Sequence, residues 1–287
     1  MSRLKLTLLL LFAFSSAAQA MQILISMDES QKNHLKSYGI AFWLLKQKQE
    51  VQWLLNYNGG SFMFQYSQEA ERECKVRGVS YETITDAAAN AIITQIQDPA
   101  ANLNAVKLLN APKIAVYSPK TKQPWDDAVT LVLTYAEIPY DIVFDDEVLT
   151  GELNKYDWLH LHHEDFTGQY GKFYGAYRNA PWYIEQKKEA EALATKLGFA
   201  KVSEEKLAVA KKVRDFVIGG GFMFAMCSAT DSFDIALAAD SIDICEPMFD
   251  GDDSEANYQS KIDYTKTFAF KDFILDRKPE HYEFSDI

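Results

Sequence analysis

From Met21 onward the hydrophobic pattern switches repeatedly between short apolar runs and spaced apolar stripes. MQILIS reads as a strand, SQKNHLKSYGIAFWLLKQ as a helix with Leu35, Tyr38, Phe42 and Leu45 on one face, and EVQWLLNY as a second strand. Asn58-Gly59-Gly60 is a turn. SFMFQY, a helix over about 67 to 76, the strand GVSYETI and helical stretches over about 85 to 97 and 101 to 109 follow, and Asn110-Ala111-Pro112 breaks the pattern. A second series opens with KIAVYS, continues through a helix over about 124 to 136 beginning beside Pro124, and returns in YDIVF and DWLHLH. Short strands separated by helices of a dozen residues imply parallel crossovers, hence a doubly wound, mostly parallel α/β sheet with an additional N-terminal α/β region.

Later stretches are more specific. FTGQYGKFYGAYRNAPWY, residues 166 to 183, is either a long functional loop or a packed layer of tyrosines. Residues 204 to 218 form an amphipathic helix with Leu207, Ala210, Val213 and Val217 inward and lysines outward. Gly219 to Gly221 follow that helix and precede a strand, which is where glycine ends a helix and the wrong order for a phosphate cradle. FMFAMC then reads as a buried strand, and Ser228, three residues before Asp231, has the spacing of a capping box at a helix start.

Composition narrows the function classes. With 48% hydrophobic and 24% charged residues in 287, the chain is globular. Residues 1 to 20, MSRLKLTLLLLFAFSSAAQA, have the basic start, short apolar run and small-residue end of a secretory signal peptide, with cleavage expected after Ala20 and export to the periplasm or outside the cell. The run is too short for a membrane anchor, and no later segment spans a bilayer. Removing Arg3 and Lys5 leaves 27 basic against 41 acidic residues, a net charge of −14, which argues against nucleic acid or anionic lipid as a partner.

Cys227 sits where the FMFAMC strand meets the next helix, with Ala225 and Ala229 as the small flanks that a nucleophile elbow requires. A helix N-terminus favours a thiolate, and the Ser228 N–H is placed to hold an oxyanion. A buried structural cysteine, or a disulfide to Cys245, is the competing reading; Cys74 completes the set of three cysteines. In an open parallel sheet the ligand crevice lies beyond the carboxyl ends of the strands, so His162, His163, Glu164 and Asp165 at the end of DWLHLH face the same region, with His162 or His163 as base. Tyr170 is expected to line that site. His160, His162 and Glu164 make a weak metal set, and a hydrogen-bonded strand end is preferred. The acidic run 250 to 255 lacks EF-hand spacing and reads as a solvated loop. Asp28, Glu29 and His34 follow the first strand, where helix capping accounts for part of the composition. No metal or cofactor is expected.

KIAVYS, the helix after Pro124, YDIVF, DWLHLHHEDF and GGGFMFAMCSATD together resemble the class I glutamine amidotransferase-like superfamily, which implies a flavodoxin-like fold with a cysteine at its elbow over roughly 111 to 245. The whole chain resembles exported bacterial proteins labelled asparagine synthetase B. The chemistry of that label does not fit, because no SGGxDS loop occurs and the mature chain would begin at Met21 rather than at a cysteine. The superfamily places a histidine, usually followed by glutamate, downstream of the elbow; His281 with Glu283 is the weak match. The expected divisions are 1–20 signal peptide, 21–110 N-terminal α/β region, 111–245 amidotransferase-like core, and 246–287, an acidic loop and C-terminal segment read as an incomplete end of the fold or of a longer chain. The resemblance implies a cysteine-dependent amide or ester hydrolase, or amidotransferase-type activity, on a small amide-bearing substrate. A non-catalytic ligand-binding or scaffold protein on the same fold, using the aromatic loop, is the alternative.

Overall fold

The computed structural model describes residues 21–119 and 128–287, so the signal-peptide assignment and the start of the helix expected from Pro124 lie outside the described residues. The chain divides into two compact units: residues up to Ala111 together with Val132–Ile138, and Pro112–Leu131 together with Pro139–Ile287.

The first unit is built on strands β1 (Met21–Ile25), β2 (Val51–Leu55), β3 (Ser61–Gln65), β4 (Glu82–Thr85) and β5 (Asn104–Leu108), with helices α1 (His34–Lys46), α2 (Gln68–Arg77) and α3 (Asp86–Ile96). The strand order is β4-β1-β3-β2-β5, and every pairing is antiparallel. The sheet is covered on both faces, which explains its unbroken apolar runs: Ile23, Ile25, Phe62 and Phe64 pack with Ile40 and Leu44 of α1, whereas Leu24, Leu54 and Met63 pack with Ala89 and Ile96 of α3. Two expectations are corrected. Residues 101 to 109 are not helical but supply β5, which pairs with β2 in the register Val51↔Leu108. On α1, Phe42 and Leu45 are buried as expected, but Leu35 and Tyr38 are exposed, and the buried face runs through Ser37, Gly39, Ile40, Ala41 and Leu44. Gly39 fixes that orientation, because a Cβ there would stand 1.9 Å from the Ala136 carbonyl oxygen.

The second unit holds a parallel sheet of β6 (Ile114–Tyr117), β7 (Asp141–Val143), β8 (Trp158–Leu161) and β9 (Phe222–Ala225) in the order β7-β6-β8-β9. Between and after them run α4 (Ala128–Ala136, whose end from Val132 belongs to the first unit), α5 (Asp145–Leu149), α6 (Tyr174–Tyr177), α7 (Pro181–Lys196), α8 (Val202–Ile218), α9 (Ser228–Ala238) and α10 (Pro247–Asp250). Ala115, Tyr117, Val143, Leu159 and Leu161 form one face of the sheet and pack against Val209, Val213, Phe233 and Leu237 of α8 and α9. On the opposite face Ile142, Phe222 and Phe224 are exposed.

Helix α8 ends as its glycines require. Gly220 takes φ +102°, and Gly221 N–H closes the last turn on Phe216 O at 2.9 Å. A Cβ at Gly221 would lie 2.3 Å from the Phe216 ring. The buried face of α8 is rotated from the expected one: Val202, Glu205, Lys206, Val209, Ala210, Val213 and Phe216 are inside, so one lysine points inward. Residues 166 to 183 are a packed layer rather than an open loop, with Phe166, Tyr170, Phe173 and Tyr183 buried. The C-terminal segment is anchored by Asp234 of α9, whose buried carboxylate accepts the N–H groups of Phe268, Ala269 and Phe270 at 2.8, 2.7 and 2.9 Å.

Candidate functional site

Strand β9 continues its pairing one step beyond its end, with Met226 N–H donating to Leu161 O at 3.0 Å, and the chain then turns sharply into α9. Cys227 makes that turn at φ +52°, ψ −142°, a conformation that costs a non-glycine residue about 1–3 kcal/mol and persists only where surrounding structure imposes it. The surrounding structure is visible. Ala229 N–H donates to His162 O at 3.2 Å, Ser228 Oγ donates to His163 O at 3.0 Å, and Ser232 Oγ donates to Glu164 O at 2.9 Å. Three hydrogen bonds from the first turns of α9 therefore stitch it to the loop beyond β8. Ala229 is fully buried at its contact with that loop, which is why its side chain must be small.

This geometry revises the capping-box expectation. Cys227 is the N-cap residue and Ser228 the first helical residue, so the Ser228 hydroxyl binds the neighbouring loop instead of its own helix. The backbone N–H of Ser228 lies in the first turn, where no carbonyl four residues back is available, as an oxyanion donor requires. The cysteines are free thiols, with Cys227 exposed and Cys245 buried, so no Cys227–Cys245 disulfide exists. Burial pushes the Cys74 thiol up to about 12.

The other expected residues have definite places. The rings of His162 and His163 stack with centroids 3.5 Å apart, and His160 stacks on Phe224 at 5.5 Å. Glu164 accepts the His162 backbone N–H at 2.7 Å. Asp165 braces its own loop by accepting Thr167 N–H and Oγ1–H at 2.7 and 2.6 Å and Gly171 N–H at 3.0 Å. Tyr170 is buried, its ring 6.3 Å from that of Tyr183. Among the described residues His160, His162 and Glu164 do not form a metal-binding group. His34 lies in the first unit, its Nε2 at 3.0 Å from the carbonyls of Met27 and Asp28, and Asp28 caps Ser30.

The downstream pair is divided in role. His281 Nδ1 lies 2.6 Å from Asp276 Oδ2 inside a C-terminal loop that is closed by the Leu275↔Ser285 bridge. Tyr282, next in the chain, rests against Phe173 at 5.5 Å between ring centroids. Burial, then the electrostatic influence of Cys227, Glu283 and Asp231, pushes the Tyr282 phenol above its ordinary value, which brings this loop into the electrostatic surroundings of the elbow. Asp231, four residues after Cys227 on α9, is pushed up to about 6 by burial, with Asp165 and Glu283 adding to the shift and the Ser232 N–H opposing it. A carboxyl that exchanges its proton near neutrality is suited to acid–base work. Neither Tyr282 nor Asp231 was marked by the sequence as part of the site; the four-residue spacing from Cys227 was the available signal for Asp231.

A second polar group lies deeper, beyond the carboxyl ends of β6 and β7. Lys206 Nζ donates to Asp145 Oδ2 at 2.6 Å and to the Tyr117 hydroxyl at 3.1 Å, and Tyr117 also donates to Asp145. Burial opposes the charge on Lys206, but Asp145 and Glu205 outweigh it and hold the ammonium above its ordinary range. Glu205 is 1% exposed, and burial is the main cause of its rise to about 8, with Lys206 opposing.

Comparison of the chain with protein-family models, curated proteins and solved structures finds no match. No helix among the described residues is long and apolar enough to cross a membrane.

Proposed function

We propose that the second unit is a flavodoxin-like, class I glutamine amidotransferase-like module in which Cys227 is the nucleophile for amide or ester hydrolysis, or for amidotransferase-type acyl transfer. The observation that carries this reading is the backbone of Cys227, a strained residue between a parallel strand and a helix with its thiol exposed. The strand order β7-β6-β8-β9 is, in chain order within the unit, 2-1-3-4, and supports the flavodoxin-like assignment. In the proposed reaction the Cys227 sulfur attacks a carbonyl, its proton passing to His162 or His163, and the Ser228 N–H stabilises the oxyanion. Asp231, whose carboxyl holds its proton to about pH 6, is the proposed donor to the leaving group. Water then releases the acyl group. ATP-dependent asparagine synthesis is not part of the proposal, and export rests on residues 1–20.

Mixing the full chain with a p-nitrophenyl ester tests the reading. The expected result is a burst of nitrophenolate matched by an acyl adduct on the Cys227 peptide, absent in Cys227→Ser. Iodoacetamide labelling with no preference for Cys227, and no adduct there, would favour a ligand-binding protein instead. That second reading is weakened by the burial of Phe166, Tyr170, Phe173 and Tyr183, which removes most of the aromatic loop from ligand contact.

A further inference from the structure

The loop after α9 gathers a set of ligand atoms that the Cys227 chemistry does not use. A carboxylate oxygen of Asp243, the sulfur of Cys245 and a carboxylate oxygen of Asp250 all lie within 4.8 Å of one another. Cys245 is fully buried, its thiol donating to Thr167 O at 3.2 Å, and the Asp250 side chain is 6% exposed. Lys201, which precedes α8, sends its ammonium to the same place, 2.5 Å from Asp243 Oδ2, 3.1 Å from Asp250 Oδ2 and 2.6 Å from Asp252 Oδ1. Three carboxylates thus face one ammonium, leaving an excess of two negative charges when all are ionised.

Asp250 gives the cluster its meaning. The ammonium makes hydrogen bonds with Asp243 and Asp252 and an ion pair with Asp250 Oδ2 at 3.1 Å, and beyond that ion pair the Asp250 carboxylate meets no backbone or neutral side-chain donor among the described residues. That one ion pair leaves the remaining lone pairs of a buried carboxylate unused, and a coordinated cation is a means of satisfying them. The surrounding loop is held firmly. Lys187 donates to Met248 O and Phe249 O at 3.1 and 2.8 Å, and Cys245 N–H donates to Asp243 Oδ1 at 3.0 Å.

We propose that Asp243, Cys245 and Asp250 form a site for a thiophilic divalent cation of the zinc class, for which the Lys201 ammonium is the internal competitor. The thiolate selects against magnesium and calcium, which take oxygen ligands, and two carboxylates with one sulfur suit a borderline-soft ion. Zinc bonds of about 2.3 Å to sulfur and 2.0–2.2 Å to oxygen place tetrahedral ligand atoms roughly 3.3–3.6 Å apart, within reach of atoms that already lie inside 4.8 Å of one another. On binding, the Cys245 S–H bond breaks, the sulfur pair forms the metal bond and the proton leaves to solvent. Lys201 keeps its proton and turns outward, toward a cleft of about 290 Å³ that it lines with Thr167, Asp243 and Ile244. The site is independent of the Cys227 proposal.

The test is titration of the full chain with Cd²⁺, followed by the ultraviolet thiolate-to-metal charge-transfer band, with Zn²⁺ as competitor. One saturable equivalent is expected in the wild type and in Cys227→Ser, and no band in Cys245→Ser. Lys201→Met is expected to tighten binding about tenfold or more, since it removes a charge that the metal must displace. Asp250→Asn, nearly isosteric, is expected to retain the fold by circular dichroism and to weaken binding at least about tenfold. Absence of a band at equimolar Cd²⁺, survival of the band in Cys245→Ser, or its loss in Cys227→Ser would each overturn the proposal.

Discussion

Glu205→Gln is the sharpest probe of the buried network. The Glu205 carboxyl is 1% exposed, its Oε1 has no hydrogen-bond partner among the described residues, and burial raises its pKa from 4.5 to about 8. A carboxyl with a raised folded-state pKa binds its proton more tightly in the folded chain. Its contribution is therefore fully present below about pH 4.5 and is lost as pH rises toward 8. At 1.36 kcal/mol per pH unit, the loss by neutral pH is about 3 kcal/mol. Glutamine stays neutral and can donate an amide N–H toward Asp145 as the protonated acid does. Urea unfolding in steps from about pH 5 to about pH 8 should show wild-type stability falling more steeply than the variant's, the variant being the more stable by roughly 2–4 kcal/mol at the alkaline end. Parallel profiles for the two proteins would refute the assignment of the titrating group to Glu205.

Two further outcomes follow from single residues. Asp234→Ala leaves the N–H groups of Phe268, Ala269 and Phe270 without their carboxylate, so a loss of about 3–5 kcal/mol is expected, with hydrogen exchange at those amides accelerating first; unchanged protection there would show that the segment is held by its apolar contacts alone. Asp231 should govern the local field at Cys227. As pH rises through about 6, alkylation by anionic iodoacetate should slow relative to neutral iodoacetamide, and Asp231→Asn should reduce that discrimination about three- to tenfold, whereas an unchanged ratio would separate Asp231 from the site.

Much of the second unit was legible because its strands are short apolar runs and its punctuation is strong. β6, β8 and β9 fall within KIAVYS, DWLHLH and FMFAMC, and the glycines end α8 where a helix-to-strand order demands. Residues 101 to 109 misled because Leu103, Val106 and Leu109 fall at helical spacing. What decides the segment is pairing with β2, a partner some fifty residues earlier that no local period reveals. Lys206 was hidden for a related reason. A lysine on an amphipathic helix almost always faces water, and this one is turned inward by Asp145, which lies 61 residues away just past the end of YDIVF. At the elbow, the small flanks of Cys227 announced the turn, but the Ser228 hydroxyl, offered both its own helix and the His163 carbonyl, takes the latter.

The placement of the chemistry follows from strand direction. All four strands of the second sheet run the same way, so the residues just beyond β6, β7, β8 and β9 emerge on one side: Asp145 after β7, the His162–Asp165 loop after β8 and Cys227 after β9, with Tyr117 ending β6. The opposite ends serve the fold. There Asp157 accepts the Lys113 N–H at 2.8 Å through its side chain and the Phe222 N–H at 2.9 Å through its backbone, joining the starts of β6, β8 and β9. Aspartate thus locks strands together at one end of the sheet, while at the other Asp145 neutralises a buried ammonium. The same backbone geometry that brings Cys227 beside the β8 loop also collects acids there, and the proposed chemistry has to operate within that anionic setting. On the proposed reading, the proton on Asp231, held to about pH 6 by burial, therefore sets how strongly that anionic setting opposes a thiolate at Cys227.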